Sequence, residues 1–250
     1  MHLTSRSVHM GCSILAQSGK TGVLKPDADG YYEVPLGAYG TPNSVGWVYD
    51  VQSASELFQE GSRLKLYLNK GILRGEYGHP DVSNLDKMAQ FQRIRKIDEE
   101  KVAFHIRGLR LDTIYENGRE VVRVLGQIKP SGPYGQYIKE SLENPHENTH
   151  FSVRAITLND QNTQIKYTKE IVTWDFVNHG GIEAAQKYAS PSLESTDVEL
   201  DRVMVYRLAQ TQRESRLSLE SGECDFADLA QKLGWDLNTK GPVKPGYMDW

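Results

Sequence analysis

The chain is short of cysteine, of long apolar runs and of positive charge, and each shortage excludes something. Two cysteines in 250 residues, Cys12 and Cys224, cannot build a disulfide framework, so a reducing compartment is the expected setting. No stretch approaches the roughly 18 consecutive apolar residues of a membrane span. The first twenty residues carry a basic side chain but no sustained apolar segment, so no secretory signal is expected. The net charge of -4 gives no reason to expect a nucleic-acid partner. No internal repeat of 20 to 50 residues is visible. With 38% hydrophobic residues the chain can still bury a substantial core.

Strand-like segments dominate what is there. SILAQ near Ser13, RLKLYLN (63–69), KVAFHIRGLRL, EVVRVLGQI, THFSVRAITL and QIKYTKEIVTWDFV are apolar or alternating, and most are rich in Val, Ile, Thr and aromatics. Asn117-Gly118 marks a hairpin between two of them. Helices are expected over 84–94, 135–144 and 181–189, and one long helix over 197–216. The pattern predicts an α+β fold: a mainly antiparallel barrel or sheet core surrounded by helices. Composition shifts near Arg213, which predicts a domain over 1–213 and a linker with a C-terminal extension over 214–250.

Two motifs invite readings their context does not support. QSGKTG (17–22) contains Gly-Lys-Thr, but a phosphate loop needs a glycine five residues before Gly19, where Ile14 stands. HENTH (146–150) has the spacing of a zinc-protease helix, yet Asn148 and Thr149 are poor helix formers and an alternating strand follows. A polar loop entering a strand fits better, and the zinc hydrolase stands as an alternative reading. The acidic run 98–100 reads as a solvated turn.

GEYGHPD (75–81) and THFSVRA (149–155) are harder to explain as scaffold. Gly78 and Pro80 restrict the backbone on either side of His79, as a general base held at fixed reach requires. Ser152 and Arg154 are two apart in a strand and share one face, which can set a nucleophile beside a cation. From spacing alone, a catalytic His79 and a turn-anchoring His79 remain equally open.

GEYGHPD followed some seventy residues later by FSVRA resembles the prohead core proteases of T4-type tailed bacteriophages. The intervening KVAFHIRGLRL, EVVRVLGQIKP and GPYGQYIKESL, and the later TWDFV, match that family's order from about Leu64 to Ala185. The resemblance implies a herpesvirus-protease-like fold and a serine endopeptidase acting inside the immature capsid, in the host cytoplasm. It implies Ser152 as nucleophile, His79 as base and Arg154 as an aid to the oxyanion site. Asp175 is the first choice for the third member, His105 the alternative and His179 a further candidate. NHGG departs from the family's Pro-Ser after TWDFV, and Glu76 and Asp81 suit supporting or capping roles. Implied partners are scaffold or core proteins and the major capsid protein as substrates, with a homo-oligomer and no cofactor, nucleic acid or membrane.

Such enzymes cut after glutamate and process themselves. Ser-Leu-Glu occurs at 141–143, 192–194 and 218–220, and Ser-Gly-Glu at 221–223. Self-cleavage after Glu220 or Glu223, with Glu194 a further candidate, would release the extension. Arg93, Arg95, Arg107 and Arg110 are examples of cations available to receive the substrate glutamate. A capsid-assembly protein without activity is a third reading, against which the intact His79 and Ser152 argue.

Overall fold

A computed structural model describes residues 6–17, 24–43, 46–116, 118–147, 149–177, 197–214 and 224–235. Two mostly antiparallel sheets form its centre. Five strands, β1 (Arg6–Gln17), β3 (Val48–Tyr49), β7 (His150–Asp160), β8 (Ile165–Val177) and β9 (Asp197–Leu200), lie in the order β3-β8-β7-β1-β9. Four more, β2 (Tyr32–Tyr39), β4 (Arg74–Glu76), β5 (Val102–Glu116) and β6 (Arg119–Pro130), lie in the order β2-β6-β5-β4. Among the described residues they do not close into a barrel. They join at one edge instead, where Tyr77, just past β4, bridges in parallel to Phe176 of β8.

The alternation of β7 and β8 creates two cores. Phe151, Val153, Trp174 and Phe176 point between the sheets and meet Phe104, Ile106, Val124 and Ile128. On the outer face of the five-stranded sheet, Val8, Met10, Ile156 and Leu158 pack under helices. These are α3 (Lys87–Arg95), α5 (Arg202–Glu214) and α6 (Phe226–Lys232). Shorter helices α1 (Val51–Glu56) and α2 (Arg63–Asn69) and the nine-residue α4 (Gly135–Glu143) complete the described set.

The hairpin expected at Asn117-Gly118 is present: β5 and β6 pair up to Glu116 and Arg119. RLKLYLN is not a strand but helix α2. Its apolar residues alternate, but it has no β-branched residue, and the Ser62 side chain caps it by accepting from the Lys65 amide at 3.1 Å. The long helix expected over 197–216 is divided. Val198 and Leu200 face inward on β9, which pairs with β1, and Asp201 then caps α5 through the Met204 amide at 2.9 Å. β2, β3 and β4 were not anticipated. The helix expected over 181–189 and the Gly-Lys-Thr stretch at 19–21 lie outside the described residues. The described residues of HENTH are not helical: 145–146 form a turn and His150 opens β7.

Candidate active site at the join of the two sheets

The GEYGHPD segment crosses from one sheet to the other. Gly75 is required there by space. A Cβ at that position would come within 2.2 Å of the Phe104 ring and 2.3 Å of the Trp174 carbonyl oxygen. Gly78 is required by conformation, with φ at +74°. Its amide donates to the Phe176 carbonyl at 2.7 Å, which fixes the chain one residue before His79. Pro80 is buried behind it, and Asp81 caps the turn by accepting from the amide and hydroxyl of Ser83 at 3.0 and 2.7 Å.

Ser152 sits near the start of β7, directly opposite Asp175 on β8. Phe151 and Val153 take the inter-sheet core, so Ser152 and Arg154 face the side where α3 packs. Ser152 is fully buried and its hydroxyl has no hydrogen-bond partner among the described residues. Both ring nitrogens of His79 are likewise shielded from solvent. The chain therefore places the serine and the histidine loop at one corner of the five-stranded sheet, on either side of β8.

Behind the serine lies a buried network of charge. Arg154 donates from Nε and Nη2 to the two carboxylate oxygens of Asp175, at 2.9 and 2.6 Å. Its Nη1 reaches Glu76 Oε1 and the carbonyls of Ile94 and Lys96, each at 3.2 Å. Glu76 also accepts from Arg93 at 3.0 and 2.6 Å and from the Asp98 amide at 2.8 Å. Its own amide donates to Asp175 at 3.1 Å. Arg154, Asp175 and Glu76 are each 0% exposed, so only mutual pairing of two cations with two anions makes the cluster tolerable. Desolvation works against ionised Glu76, but the hydrogen bonds from Arg93 and the charge of Arg154 hold its carboxyl below the usual range. For Asp175 burial prevails over the guanidinium of Arg154, and its carboxyl is raised.

The third-member candidates separate here. Asp175 is in register with the serine, but both of its oxygens are engaged by Arg154. His105 is committed elsewhere: Nδ1 lies 3.0 Å from the Tyr31 hydroxyl and Nε2 3.0 Å from the Gly71 carbonyl. His179, Glu194, Glu220 and Glu223 lie outside the described residues. Each arginine considered for the glutamate pocket already meets a carboxylate: Arg93 with Glu76, Arg95 with Glu170, Arg107 with Asp27 and Asp29, and Arg110 with Glu33. Cys224 is no competing nucleophile, because burial and the charge of Glu170 push its thiol well above the usual range.

Sequence reasoning did not anticipate the part played by Arg93, or that Glu76 would be its partner. The signal was available. Glu76, Arg154 and Asp175 are charged residues next to or within apolar strands, and two buried acids against one base call for a second base.

The Peptidase S80 family model matches residues 10–231 of the chain. The chain is 43% identical over 256 residues to the capsid maturation protease of Pseudomonas phage phiKZ, covering 98% of this chain and 95% of that one. Among solved structures it is similar to the bacteriophage T4 capsid assembly protease. That likeness has 16% identity and a TM-score of 0.42, and covers 69% of this chain and 99% of the other.

Proposed function

The chain belongs to the Peptidase S80 family, and from that premise we propose that it is a serine endopeptidase that matures a phage capsid by cutting proteins inside the prohead. The observation that carries the serine mechanism is the Ser152 hydroxyl: fully buried, without a hydrogen-bond partner among the described residues, and one strand away from the His79 loop. A buried hydroxyl kept only for structure normally finds a partner. Strands spaced about 4.8 Å apart put the backbones of Ser152 and His79 about 10 Å from each other, a gap that two side chains turned toward one another can close.

In this reading Ser152 Oγ attacks the main-chain carbonyl of a substrate glutamate. His79 takes the hydroxyl proton and returns it to the leaving amine, and water then hydrolyses the acyl-enzyme. Asp175 remains the preferred third group, because it stands opposite Ser152 while His105 is held by Tyr31 and Gly71. Arg154 serves the oxyanion site by charge and by fixing β7, since its donors go to Asp175, Glu76 and two carbonyls. Substrates are the scaffold and capsid proteins, and the enzyme also processes itself, with Glu220, Glu223 and Glu194 as the candidate sites.

Intact mass over time tests this, using the wild type, Ser152→Ala, and Glu147→Gln as a control for HENTH. The expected result is shortening of the wild type and of Glu147→Gln, with Ser152→Ala whole. If Ser152→Ala shortens while Glu147→Gln does not, the serine mechanism is wrong.

A further inference from the structure

The extension beyond the Ser/Glu-rich linker does not behave as a tail over its described part, residues 224–235. Cys224, Phe226, Leu229, Ala230 and Leu233 are each at most 4% exposed and belong to the outer core. The Phe226 ring meets Phe91 of α3 edge-on at 5.6 Å. Asp225 caps α6 by accepting from the amides of Ala227 and Asp228, so the helix begins at Phe226, two residues past Cys224.

The entry to this segment is clamped on both sides. The Cys224 amide donates to Glu170 Oε2 at 2.9 Å, and the Cys224 carbonyl accepts from Gln212 Nε2 at 2.8 Å. The Phe226 amide donates to Gln212 Oε1 at 3.1 Å. Glu170 is itself 1% exposed and is held by Arg63 and by Arg95 of α3. The same helix carries Arg93, which holds Glu76 three residues before His79.

We propose that residues 224–235 are a permanent strap that docks on α3, α5 and the five-stranded sheet, latched by Glu170 and Gln212, and that it stays bound when the chain is cut in the segment before it. The docking stands on its own contacts; the self-processing rests on the protease reading above. Cutting after Glu223 is disfavoured. Its leaving nitrogen is the Cys224 amide, buried against Glu170, and hydrolysis there would leave a new ammonium beside two guanidiniums that share one carboxylate. Hydrolysis of the Glu220–Ser221 bond adds one water and leaves the Glu220 carboxylate and the Ser221 ammonium, both upstream of the latch. A released extension would therefore be a noncovalent partner of the enzyme.

The test uses the intact Ser152→Ala chain, so a failure of the serine mechanism does not bear on it. Hydrogen exchange should find the amides of Cys224 and of 229–233 protected to the same order as those of α5; exchange at the rate of an unfolded tail overturns the strap. Limited digestion with an added glutamate-specific endopeptidase, followed by gel filtration and mass analysis, reads the rest. The expected product begins at Ser221 and elutes with the body until denaturant is added. A first product beginning at Cys224, or a fragment that elutes alone, overturns the proposal. Glu170→Gln should speed cutting at Cys224 at least tenfold, and Gln212→Ala, which leaves the Arg63 and Arg95 contacts to Glu170 in place, should do so as well; unchanged rates in both would remove the latch.

Discussion

Glu76 and Arg154 are joined by a buried ion pair at 3.2 Å that ties the segment carrying His79 to the strand carrying Ser152. The two residues are 78 apart in sequence and each lies within three positions of a proposed catalytic group. Around them Arg93 and Asp175 complete a four-charge cluster whose members cannot be removed singly without leaving a buried charge uncompensated.

Glu76→Gln and Arg154→Met should therefore each destabilise the protein by about 3–5 kcal/mol, the cost of breaking a buried pair from one side. Chemical denaturation measures it. Glu76→Gln should also lower proteolytic activity more than a surface substitution of equal stability cost does, because it frees the His79 loop from β7.

Ser152→Ala should abolish cleavage while leaving the fold intact or slightly firmer. The wild-type hydroxyl is buried without a partner among the described residues, a state that costs about 1–3 kcal/mol, and alanine removes that cost. A rise in the thermal midpoint with complete loss of activity is the expected pair of results. A large fall in the midpoint would mean that the hydroxyl is bonded after all.

Gly75→Ala should be among the most damaging single changes outside the charge cluster, because its new methyl meets the Phe104 ring and the Trp174 carbonyl together. Gly78→Ala has open space around it and should cost only the left-handed conformation, about 1–2 kcal/mol. The two midpoints, compared side by side, separate a packing requirement from a backbone one.

Acid should weaken the fold through Glu76. Its folded-state pKa lies below the unfolded value of 4.5, so its contribution is present above that value and is lost as pH falls through the folded one. Asp175 runs the other way: raised from 3.8, it favours the fold most below that value and less as pH climbs through its folded one. Arg93 touches Glu76 and not Asp175 in the network. Arg93→Ala should thus shift the acid-unfolding midpoint to higher pH, as read by circular dichroism along a pH series.

Asp175→Asn and His105→Ala distinguish the two third-group candidates. Loss of a hundredfold or more in cleavage rate is expected for the first and less than tenfold for the second. The reverse order would move the third group to β5.

Much of this was legible in the chain. The strands with dense Val, Ile and aromatic residues were identifiable because half-buried sheet positions select those side chains, and GEYGHPD stood out because glycine and proline restrict the backbone so specifically. What escaped was decided by tertiary contact. RLKLYLN alternates like a strand, but its Ser62 cap and the packing of Leu64 make it a helix. Arg154 looked like a free oxyanion cation beside Ser152, because no local pattern announces that Glu76 lies 78 residues upstream to claim it. The burial of Phe226 and Leu229 was hidden by the polar, Ser- and Glu-rich sequence that precedes them.

The sealed serine has a last consequence, one of timing. With the Ser152 side chain fully buried and both His79 nitrogens shielded, the proposed serine mechanism would require the corner where the sheets join to open before a peptide could reach Ser152. Under that proposal, a chain in this state would be synthesised and enclosed among its substrates without consuming them. On that reading, digestion would begin with an opening at that corner rather than with the arrival of substrate.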